Sequence, residues 1–368
     1  MRGNTPEFSQ MDDRSDQETM NALFNAFGDV HGSAIMLPSG ETIARTYDAQ
    51  LTHEAVALVT VAENEIDLWW HPSTGSRRGE RQPMAFSSHM TRDLTALTAT
   101  LIGVSGTGSI MGEQLARAGF GRIVAIDFDR IETKNLNRIL NSTTADAESN
   151  ELKVQVFSRA VASHRSDCQV VAIEESVCTR NAVEAAACGD IIFCCVDSYE
   201  ARMVADRIAS AFLIPLIDVG VSIPTHSAPG QPAAITDVCA RVDYIHPGGS
   251  TLSDRGVYTP ERLAAEALMV SDPDSYRDQL EAGYFRGTIE EAPAVISLNM
   301  TAASIAFNEF VARTFPFRQE CNAPYAQTRF SMADYSLILS EEHDFDRSEN
   351  PILGRGSQPP LLNLPQLG

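Results

Sequence analysis

From about Leu94 to Ser222 the chain alternates short apolar runs with stretches whose apolar residues recur every three or four positions. The apolar runs are too short for helices and contain few polar residues, which is typical of strands buried on both faces of a parallel sheet. One of the intervening helical stretches ends in a glycine, which favours a helix C-terminus there. We therefore predict an α/β fold with a mostly parallel sheet and right-handed crossovers. The predicted strands are TATLIGV, RIVAIDFD, CQVVAIEES, DIIFCCVDS and PLIDVGVS, and the predicted helices include SIMGEQLARAG and ARMVADRIASAFL.

The pattern changes on both sides of this block. Residues 1–20 are polar and predict a disordered arm. Residues 21–90 hold alternating segments such as EAVALVTVAENEIDLWW, a predicted strand, turn and strand, and indicate a small N-terminal α+β accessory domain. After Ser222 frequent Pro and Gly favour antiparallel strands or a long crossover, and APAVISLNMTAASIAFNEFVARTF then predicts one long helix. We expect the main domain to extend over 91–345 and the Pro- and Gly-rich residues 346–368 to form a tail without regular elements.

Composition and charge narrow the class of protein. The 368 residues are 43% hydrophobic and 21% charged, as in ordinary globular domains. The 49 acidic and 28 basic residues give a net charge of −21, which repels phosphate backbones and argues against nucleic acid as a partner. The sequence shows neither an apolar run of membrane length nor a signal peptide, so we expect a cytoplasmic protein with no membrane partner. The seven cysteines form no C-x-x-C pair and are expected to be free thiols.

The segment GVSGTGS lies between the first predicted strand of the sheet and the first helix of this block. At such a place backbone N–H groups and the positive end of the helix dipole meet a phosphate, and glycines allow its close approach. An aspartate closes the next strand, where a carboxylate can accept hydrogen bonds from ribose hydroxyls. A tight turn that binds no ligand is the alternative. The expected nucleotide-binding residues of the loop are Gly103, Ser105, Gly106, Thr107 and Gly108.

A serine stands where the middle glycine of a dinucleotide-binding turn is expected. That glycine lets a pyrophosphate approach the turn, so Ser105 disfavours NAD, although its hydroxyl can itself donate to a phosphate. The polar cluster that follows, DFDRIETKNLNR, is not a feature that a dehydrogenase needs. It contains Asn135 and Arg138, eight and eleven residues beyond its first aspartate. Further on, Lys153 lies in NELKVQ and Asp197 ends the apolar run of CCVDSYEAR.

This combination resembles the ThiF/MoeB superfamily of adenylating enzymes, which includes the ubiquitin-activating enzymes. The family pattern is a glycine-rich loop, D-x-D, N-L-x-R, a lysine further on, and an aspartate followed by an arginine after a later strand. All five occur here in that order, and the resemblance covers roughly residues 94–310. It implies a Rossmann-like adenylation domain that uses ATP and Mg²⁺ to convert a C-terminal carboxylate into an acyl-adenylate.

The resemblance also implies roles for three cationic or amide side chains. Arg138 would neutralise phosphate charge through a bidentate fork and Lys153 as a point charge. Asn135 would donate to the phosphates or fix the loop. The structural alternatives are a surface cation at Arg138 and a cap of the following turn at Asn135.

Three acidic side chains complete the implied site. Asp127 and Asp129 form the D-x-D element, and Asp127 would accept hydrogen bonds from the ribose. Asp197 would hold Mg²⁺, which prefers one or two carboxylates together with substrate phosphates. As an alternative or in addition, Asp197 caps the helix that follows it. For Arg202, a surface or structural ion pair is expected.

The chain departs from the family pattern at three places. Ile139 stands where the glutamine that follows N-L-x-R is usual, which removes one polar contact to the nucleotide. Thr251 and Asp254 stand where simpler members carry a C-x-x-C pair, so we do not expect the zinc that those members bind. The segment GTIEEAP at 287–293, where many members carry a catalytic cysteine, contains none.

A thioester-forming cysteine must therefore lie elsewhere or be absent. Cys239, in the region after the parallel strands, is the candidate we retain, and Cys321 is the second. Cys194 and Cys195 lie in an apolar strand and are expected to be buried and inert. An enzyme that forms only the adenylate is the alternative.

The expected partner is a ubiquitin-like or sulfur-carrier protein with a C-terminal glycine, with a conjugating enzyme as a further partner. The resemblance implies a homodimer in which an arginine upstream of the first strand reaches the ATP of the other subunit, and Arg81 and Arg92 are the candidates. The leading hypothesis is activation of a ubiquitin-like protein in a bacterial-type conjugation pathway. Sulfur transfer, peptide adenylation, a non-catalytic nucleotide-binding scaffold and an NAD-dependent dehydrogenase are the alternatives.

Overall fold

The chain divides into two compact units, Met1–Gln82 and Pro83–Gly368. The second unit therefore includes the residues that we expected to form a C-terminal tail. The computed structural model describes residues 6–27, 30–72, 88–226, 234–281, 295–315 and 317–368.

The described residues of the first unit form one helix and five short strands. The elements are α1 (Gln10–Ala26), β1 (His31–Met36), β2 (Thr42–Tyr47), β3 (His53–Ala55), β4 (Leu58–Ala62) and β5 (Ile66–Trp70). Strands β1, β2 and β3 form an antiparallel sheet. The predicted strand, turn and strand is present as the antiparallel pair of β4 and β5. Of the two adjacent tryptophans in β5, Trp69 is buried and Trp70 is half-buried.

Helix α1 corrects the expectation of a disordered arm over 1–20. Its N-terminus is closed by a capping box between Ser9 and Asp12. In the next turn Asp16 lies 2.6 Å from the guanidinium of Arg45, a buried arginine of β2. A buried guanidinium requires such partners, so an acidic stretch with little apolar content is ordered here by a residue far along the chain.

The second unit contains the expected alternation of strands and helices. Its elements are α2 (Ser88–Ala96), β6 (Thr98–Ile102), α3 (Gly106–Ala118), β7 (Arg122–Ile126), α4 (Thr144–Glu148), α5 (Lys153–His164), β8 (Gln169–Ile173), α6 (Arg180–Ala186), β9 (Ile191–Cys194), α7 (Tyr199–Phe212), β10 (Leu216–Ser222), β11 (Thr225–His226), β12 (Ala234–Ile235), β13 (Cys239–Ile245), α8 (Pro260–Ser271), α9 (Pro273–Glu281), α10 (Ile296–Thr314), β14 (Gln327–Ser331) and β15 (Leu337–Ser340). None of the helices in the described ranges is long and apolar enough to cross a membrane.

The central sheet has eight strands in the order β15–β14–β13–β10–β9–β6–β7–β8. The five strands from β10 to β8 are parallel, which confirms the predicted parallel sheet, and β13, β14 and β15 add antiparallel pairs at one side. The chain runs outward from β6 to β7 and β8, and then returns to the other side of β6 to form β9 and β10. This reversal of strand order creates a crevice at the carboxyl ends of β6 and β9, the usual place for a ligand in open α/β sheets.

Helices cover both faces of the sheet. On one face α3 packs against α5 and α10. Phe310 of α10 contacts Phe120 and Phe193 there, with ring centroids 5.5 Å and 5.9 Å apart. On the other face α6 and α7 pack on apolar residues of β6, β7, β9 and β10. Strands β6, β7 and β9 are therefore buried on both sides, as their apolar runs predict, whereas β8 at the edge of the sheet is half-buried.

The C-terminal residues pack into the second face and do not form a tail. Leu361, Leu362, Leu364 and Leu367 are buried in the same apolar cluster as α6 and α7. Regular hydrogen bonding is limited to short 3-10 turns at Leu361–Asn363 and Pro365–Leu367. The frequent prolines exclude a long helix or strand there, but the spaced leucines still bury their side chains.

Candidate nucleotide site

The glycine-rich loop leaves β6 and enters α3 with two glycines in close contact with backbone. Gly103 has φ +84°, and a Cβ there would meet the carbonyl oxygen of Cys195 at 3.0 Å. A Cβ on Gly108 would lie 1.8 Å from the carbonyl oxygen of Gly103. Both glycines are therefore required by the turn between the strand and the helix, with or without a ligand.

Ser105 fits this turn because its backbone is not in a glycine conformation. It is the N-cap of α3 with φ −90°, and its side chain makes no capping hydrogen bond. The first α-helical hydrogen bond that enters the helix is from Ser109 N–H to the Ser105 carbonyl, at 2.7 Å. The N–H groups of Gly106, Thr107 and Gly108 precede that bond, so the start of α3 offers donors that an anion can use.

Asp127 holds the ends of two neighbouring strands together. Its Oδ2 accepts a hydrogen bond from the N–H of Val104 at 2.7 Å, and its Oδ1 accepts one from the N–H of Asp129 at 2.8 Å. Burial raises the pKa of Asp127, while the charge of Lys153 and the two backbone donors act in the opposite direction. The carboxylate thus has a structural role in the loop, and only its remaining lone pairs are left for a ribose.

Lys153 is held beside the D-x-D element by Asp129. Its Nζ lies 2.7 Å from Asp129 Oδ2, and its backbone N–H donates to the Asp129 carbonyl at 3.0 Å. The lysine is buried at the first position of α5, whereas Asp129 is half exposed. The ammonium group is therefore fixed at the carboxyl end of β7, where the resemblance expects it to contact phosphate. The spacing of Asp129 and Lys153 along the sequence did not predict this ion pair.

Asn135 and Arg138 follow on a 3-10 turn at Thr133–Asn135. The buried Asn135 side chain accepts a hydrogen bond from the N–H of Glu132 at 3.1 Å. It thus closes the capping box of its own turn, whereas the alternative expected a cap of the following turn. The guanidinium of Arg138 donates to the Lys134 carbonyl at 3.1 Å. Its Cγ and Cδ lie 3.3 Å and 3.2 Å from the point where a Cβ on Gly106 would be. The arginine stem thus lies against the first residue of α3.

Ile139, at the position where the family usually has glutamine, serves the fold. It is buried in a small apolar cluster with Ile131 and Val156, which joins the polar segment to α5. The substitution therefore exchanges a possible polar contact for packing.

Asp197 is an exposed carboxylate just beyond the end of β9, on the other side of the crevice. The N-cap of α7 is Ser198, whose hydroxyl accepts from the N–H of Ala201 at 3.2 Å, so the capping role considered for Asp197 is wrong. Arg202 forms the expected structural ion pair with the buried Asp218. Asp197 itself makes no hydrogen bond to the described residues, which leaves its oxygens available to a ligand.

The cysteines occupy different environments. Cys239 begins β13 opposite Ser222 at the end of β10, and its Sγ lies 3.6 Å from the Ser222 carbonyl oxygen. Burial, and then the charge of Asp237, raise the pKa of this thiol. The predicted burial is confirmed for Cys194, whereas Cys195 is half-buried. Burial raises the pKa of Cys195 to about 12, which disfavours the reactive thiolate. Cys321 is exposed after the long helix.

Thr251 and Asp254, which stand at the position of the family C-x-x-C pair, are joined by hydrogen bonds. Asp254 Oδ2 accepts from both the N–H and the hydroxyl of Thr251 at 2.9 Å, and its Oδ1 accepts from the N–H of Ser348 at 3.1 Å. In the described part of the chain no three His, Cys, Asp or Glu side chains come together in a metal site. This segment is thus tied to the C-terminal residues by side-chain and backbone contacts.

The 287–293 segment and Arg81 lie outside the described residues, and Arg92 is exposed on α2.

One polar residue near the loop was missed by the sequence analysis. Asn299 lies on α10 and is only 3% exposed. Its Nδ2 is 2.3 Å from the point where a Cβ on Gly106 would be, so the amide lies against the start of α3. The available signal was a lone amide in the apolar stretch AVISLNMTAA, but nothing in the sequence locates its neighbour.

Comparison with known sequences gives the same family as the motifs. The ThiF family model matches residues 80–307. The chain is 26% identical over 183 residues to the sulfur carrier protein ThiS adenylyltransferase of Bacillus subtilis (strain 168), covering 49% of this chain and 54% of that protein. It is 26% identical over 137 residues to the ubiquitin-like modifier-activating enzyme 5 of Drosophila willistoni, covering 34% of this chain and 33% of that protein. The chain thus matches about half and about a third of the length of these relatives.

Solved structures of MccB share the fold. The Escherichia coli MccB structure with ATP has a TM-score of 0.51 and 16% identity, and covers 73% of this chain and 68% of that one. MccB in complex with N-formylated MccA has a TM-score of 0.53 and 15% identity, with coverage of 72% and 68%. The likeness confirms the predicted α/β fold. Because the family model matches more than half of the chain, the resemblance seen in the motifs is also confirmed: the chain belongs to the ThiF family.

Proposed function

We propose that this protein uses ATP to adenylate the C-terminal glycine carboxylate of a ubiquitin-like or sulfur-carrier protein. The observation that carries the proposal is the grouping of charges at one edge of the sheet. The N-terminus of α3, the Arg138 guanidinium and the Lys153 ammonium follow β6 and β7, and the Asp197 carboxylate follows β9 across the crevice. Such a set suits a triphosphate bound with a divalent cation.

The reaction joins two anionic partners. A carboxylate oxygen attacks the α-phosphorus of ATP, and the bond from that phosphorus to the bridging oxygen of pyrophosphate breaks. The products are an acyl-adenylate and pyrophosphate. Catalysis of this step consists mainly of positioning the reactants and neutralising their charge.

The residues divide this work between them. Arg138 and the N–H groups at the start of α3 bind phosphate oxygens, and Lys153, oriented by Asp129, supplies a second cation. Asn135 fixes the turn that carries Arg138 and keeps its amide nitrogen for the phosphates. Asp127 holds the loop and accepts a ribose hydroxyl.

Magnesium fits the crevice through Asp197. That carboxylate is exposed and free of hydrogen bonds to the described residues, as a ligand that shares a cation with phosphate oxygens has to be. When bound, the cation would neutralise charge on the leaving pyrophosphate.

The names of the two relatives support both candidate substrate classes. One acts on a sulfur carrier protein and the other is named as an activating enzyme for a ubiquitin-like modifier. We favour a ubiquitin-like protein in a bacterial-type pathway. Adenylation of a peptide, or nucleotide binding without catalysis, are the alternatives that the experiment below separates.

For the acyl acceptor within this chain, Cys239 is the candidate. It lies at the carboxyl end of β10, on the same edge of the sheet as the nucleotide site. In this step the Cys239 sulfur attacks the acyl carbon, loses its proton and displaces AMP, which leaves a thioester. Because burial raises the pKa of this thiol, the proton must leave during the attack. A reductant-sensitive adduct that persists in Cys239→Ala and is lost in Cys321→Ala would exclude this assignment.

The remaining assignments concern partners and location. We propose a homodimer in the cytoplasm, with Arg92 or Arg81 reaching the ATP of the other subunit, and a conjugating enzyme as the next partner. The first unit, Met1–Gln82, is proposed to recognise the protein substrate. Deletion of this unit with substrate binding unchanged would contradict that role.

The proposed function is tested by ATP–pyrophosphate exchange. A ubiquitin-like protein ending in glycine should stimulate exchange, and the same protein without its last glycine should not. Arg138→Ala should abolish the stimulation, whereas Arg117→Ala, which removes an exposed arginine near the other end of α3, should leave it unchanged. Absence of exchange with every protein that ends in glycine, together with tight binding of NAD, would overturn the proposal.

A further inference from the structure

Asn299 is a buried amide without a hydrogen-bond partner among the described residues. It is 3% exposed, and its side chain makes no hydrogen bond to the described residues, whereas its backbone N–H donates to the Val295 carbonyl of its own helix at 3.2 Å. Buried side-chain amides nearly always have hydrogen-bond partners. The amide atoms of Asn299 are not among the fully buried side-chain atoms that lack a partner, so they keep access to solvent and are open to a ligand that enters the crevice.

The amide is aimed at the start of α3. Its Nδ2 lies 2.3 Å from the Cβ position of Gly106, and the Arg138 stem lies within 3.3 Å of the same point. A side chain at residue 106 would displace both groups. Asn299 and Arg138 therefore flank the first residue of the helix whose N–H groups are free to bind an anion.

The two helices also run in the same direction. Asn299 contacts Gly106 near their N-termini, Gln114 Nε2 donates to Ser304 Oγ at 3.0 Å further along, and Phe120 meets Phe310 beyond that. The positive ends of both helix dipoles therefore lie at the same edge of the sheet. This adds to the attraction for an anion at the point that the amide faces.

We propose that Asn299 donates a hydrogen bond from Nδ2 to a non-bridging phosphate oxygen of the nucleotide, beside Arg138. The inference rests on the proposed function and adds a phosphate-binding residue to that site. The uncharged amide gives the phosphate a directed donor and places no second cation against the arginine. Recognition of the adenine and ribose does not involve it.

The test compares ATP and adenosine by calorimetry. Asn299→Ala should weaken ATP binding by about tenfold, as expected for loss of a hydrogen bond to a charged group. Asn299→Asp, which keeps the shape but replaces the donor with a negative charge, should weaken it more. Adenosine should bind both variants as well as it binds the wild type. Asn308→Asp makes the same change at an exposed position of α10 and is the control.

Three outcomes would overturn the inference. These are unchanged ATP affinity in Asn299→Ala, a parallel loss of ATP and adenosine affinity, or an equal effect of Asn308→Asp. If Asn299→Asp does not fold, the ATP and adenosine affinities of Asn299→Ala still test the inference. A wild type that binds no ATP would overturn the proposed function itself, and that result is distinct from a wild type that binds ATP independently of Asn299.

Discussion

Asp206 of α7 makes the stability of the second unit depend on pH. The side chain is 2% exposed, and it accepts hydrogen bonds from the N–H of Leu252 at 3.1 Å and from the hydroxyl of Tyr258 at 2.8 Å. Burial raises its pKa from 3.8 to about 6, although these hydrogen bonds act in the opposite direction. The folded protein therefore binds a proton at this site over a pH range in which the unfolded chain has lost it.

This difference sets the sign and the size of the effect. Because the folded-state pKa of Asp206 is the higher one, its contribution to the free energy of unfolding is fully present below pH 3.8 and is lost as the pH rises through about 6. The gap between the two pKa values corresponds to about 3 kcal/mol. Asp206→Asn keeps the shape and the acceptor oxygen but cannot ionise. Its stability relative to the wild type should therefore increase by about 3 kcal/mol between acidic and alkaline conditions.

Urea unfolding of both proteins at a series of pH values from about 4 to about 8 measures this difference. Asp278→Asn, which removes an exposed carboxylate of α9, provides the matched control and should show little change with pH. A constant difference between Asp206→Asn and the wild type across the series would refute the reasoning, as would a difference that changes in the opposite direction.

Three further substitutions test the loop, the ion pair beside it and the buried charges. Gly108→Ala places a methyl group 1.8 Å from the Gly103 carbonyl oxygen, so the free energy of unfolding should fall by more than about 3 kcal/mol; a stable variant in thermal unfolding would contradict the turn geometry. Lys153→Met removes the cation held 2.7 Å from Asp129, and ATP–pyrophosphate exchange should fall by about 100-fold or more; exchange within a few-fold of the wild type would exclude a role for the lysine in charge neutralisation. Asp218→Asn leaves two arginines without their shared buried carboxylate and should cost about 3–5 kcal/mol in urea unfolding, whereas a neutral change would show that they find other partners.

The parallel part of the fold could be predicted because its signals are local. The strands from β6 to β10 are mainly apolar, with Asp218 as a buried charge within β10, and the helices between them have apolar residues at helical spacing. The motifs identified the family for the same reason. Each motif is a short local segment, and the motifs follow one another along the chain in the order of the family pattern.

The parts that could not be predicted depend on contacts between distant residues. Helix α1 is polar, and its order depends on Arg45, 29 residues beyond Asp16. The C-terminal leucines fold without a regular period, so their burial leaves no repeating pattern in the sequence. Asn299 lies far along the chain from Gly106, and no spacing rule connects them.

The glycine-rich loop alone is weak evidence for a nucleotide. Gly103 and Gly108 are required by backbone contacts within the turn, and Asp127 is engaged by two backbone donors, so a fold without any ligand would also require these residues. The residues that argue for a ligand are those that the fold does not use. Asp197 is exposed with no hydrogen bond to the described residues, and the buried amide of Asn299 has no hydrogen-bond partner among them. Asp197→Asn and Asn299→Ala should therefore weaken nucleotide binding with little effect on stability, whereas substitutions in the glycine loop will combine both effects.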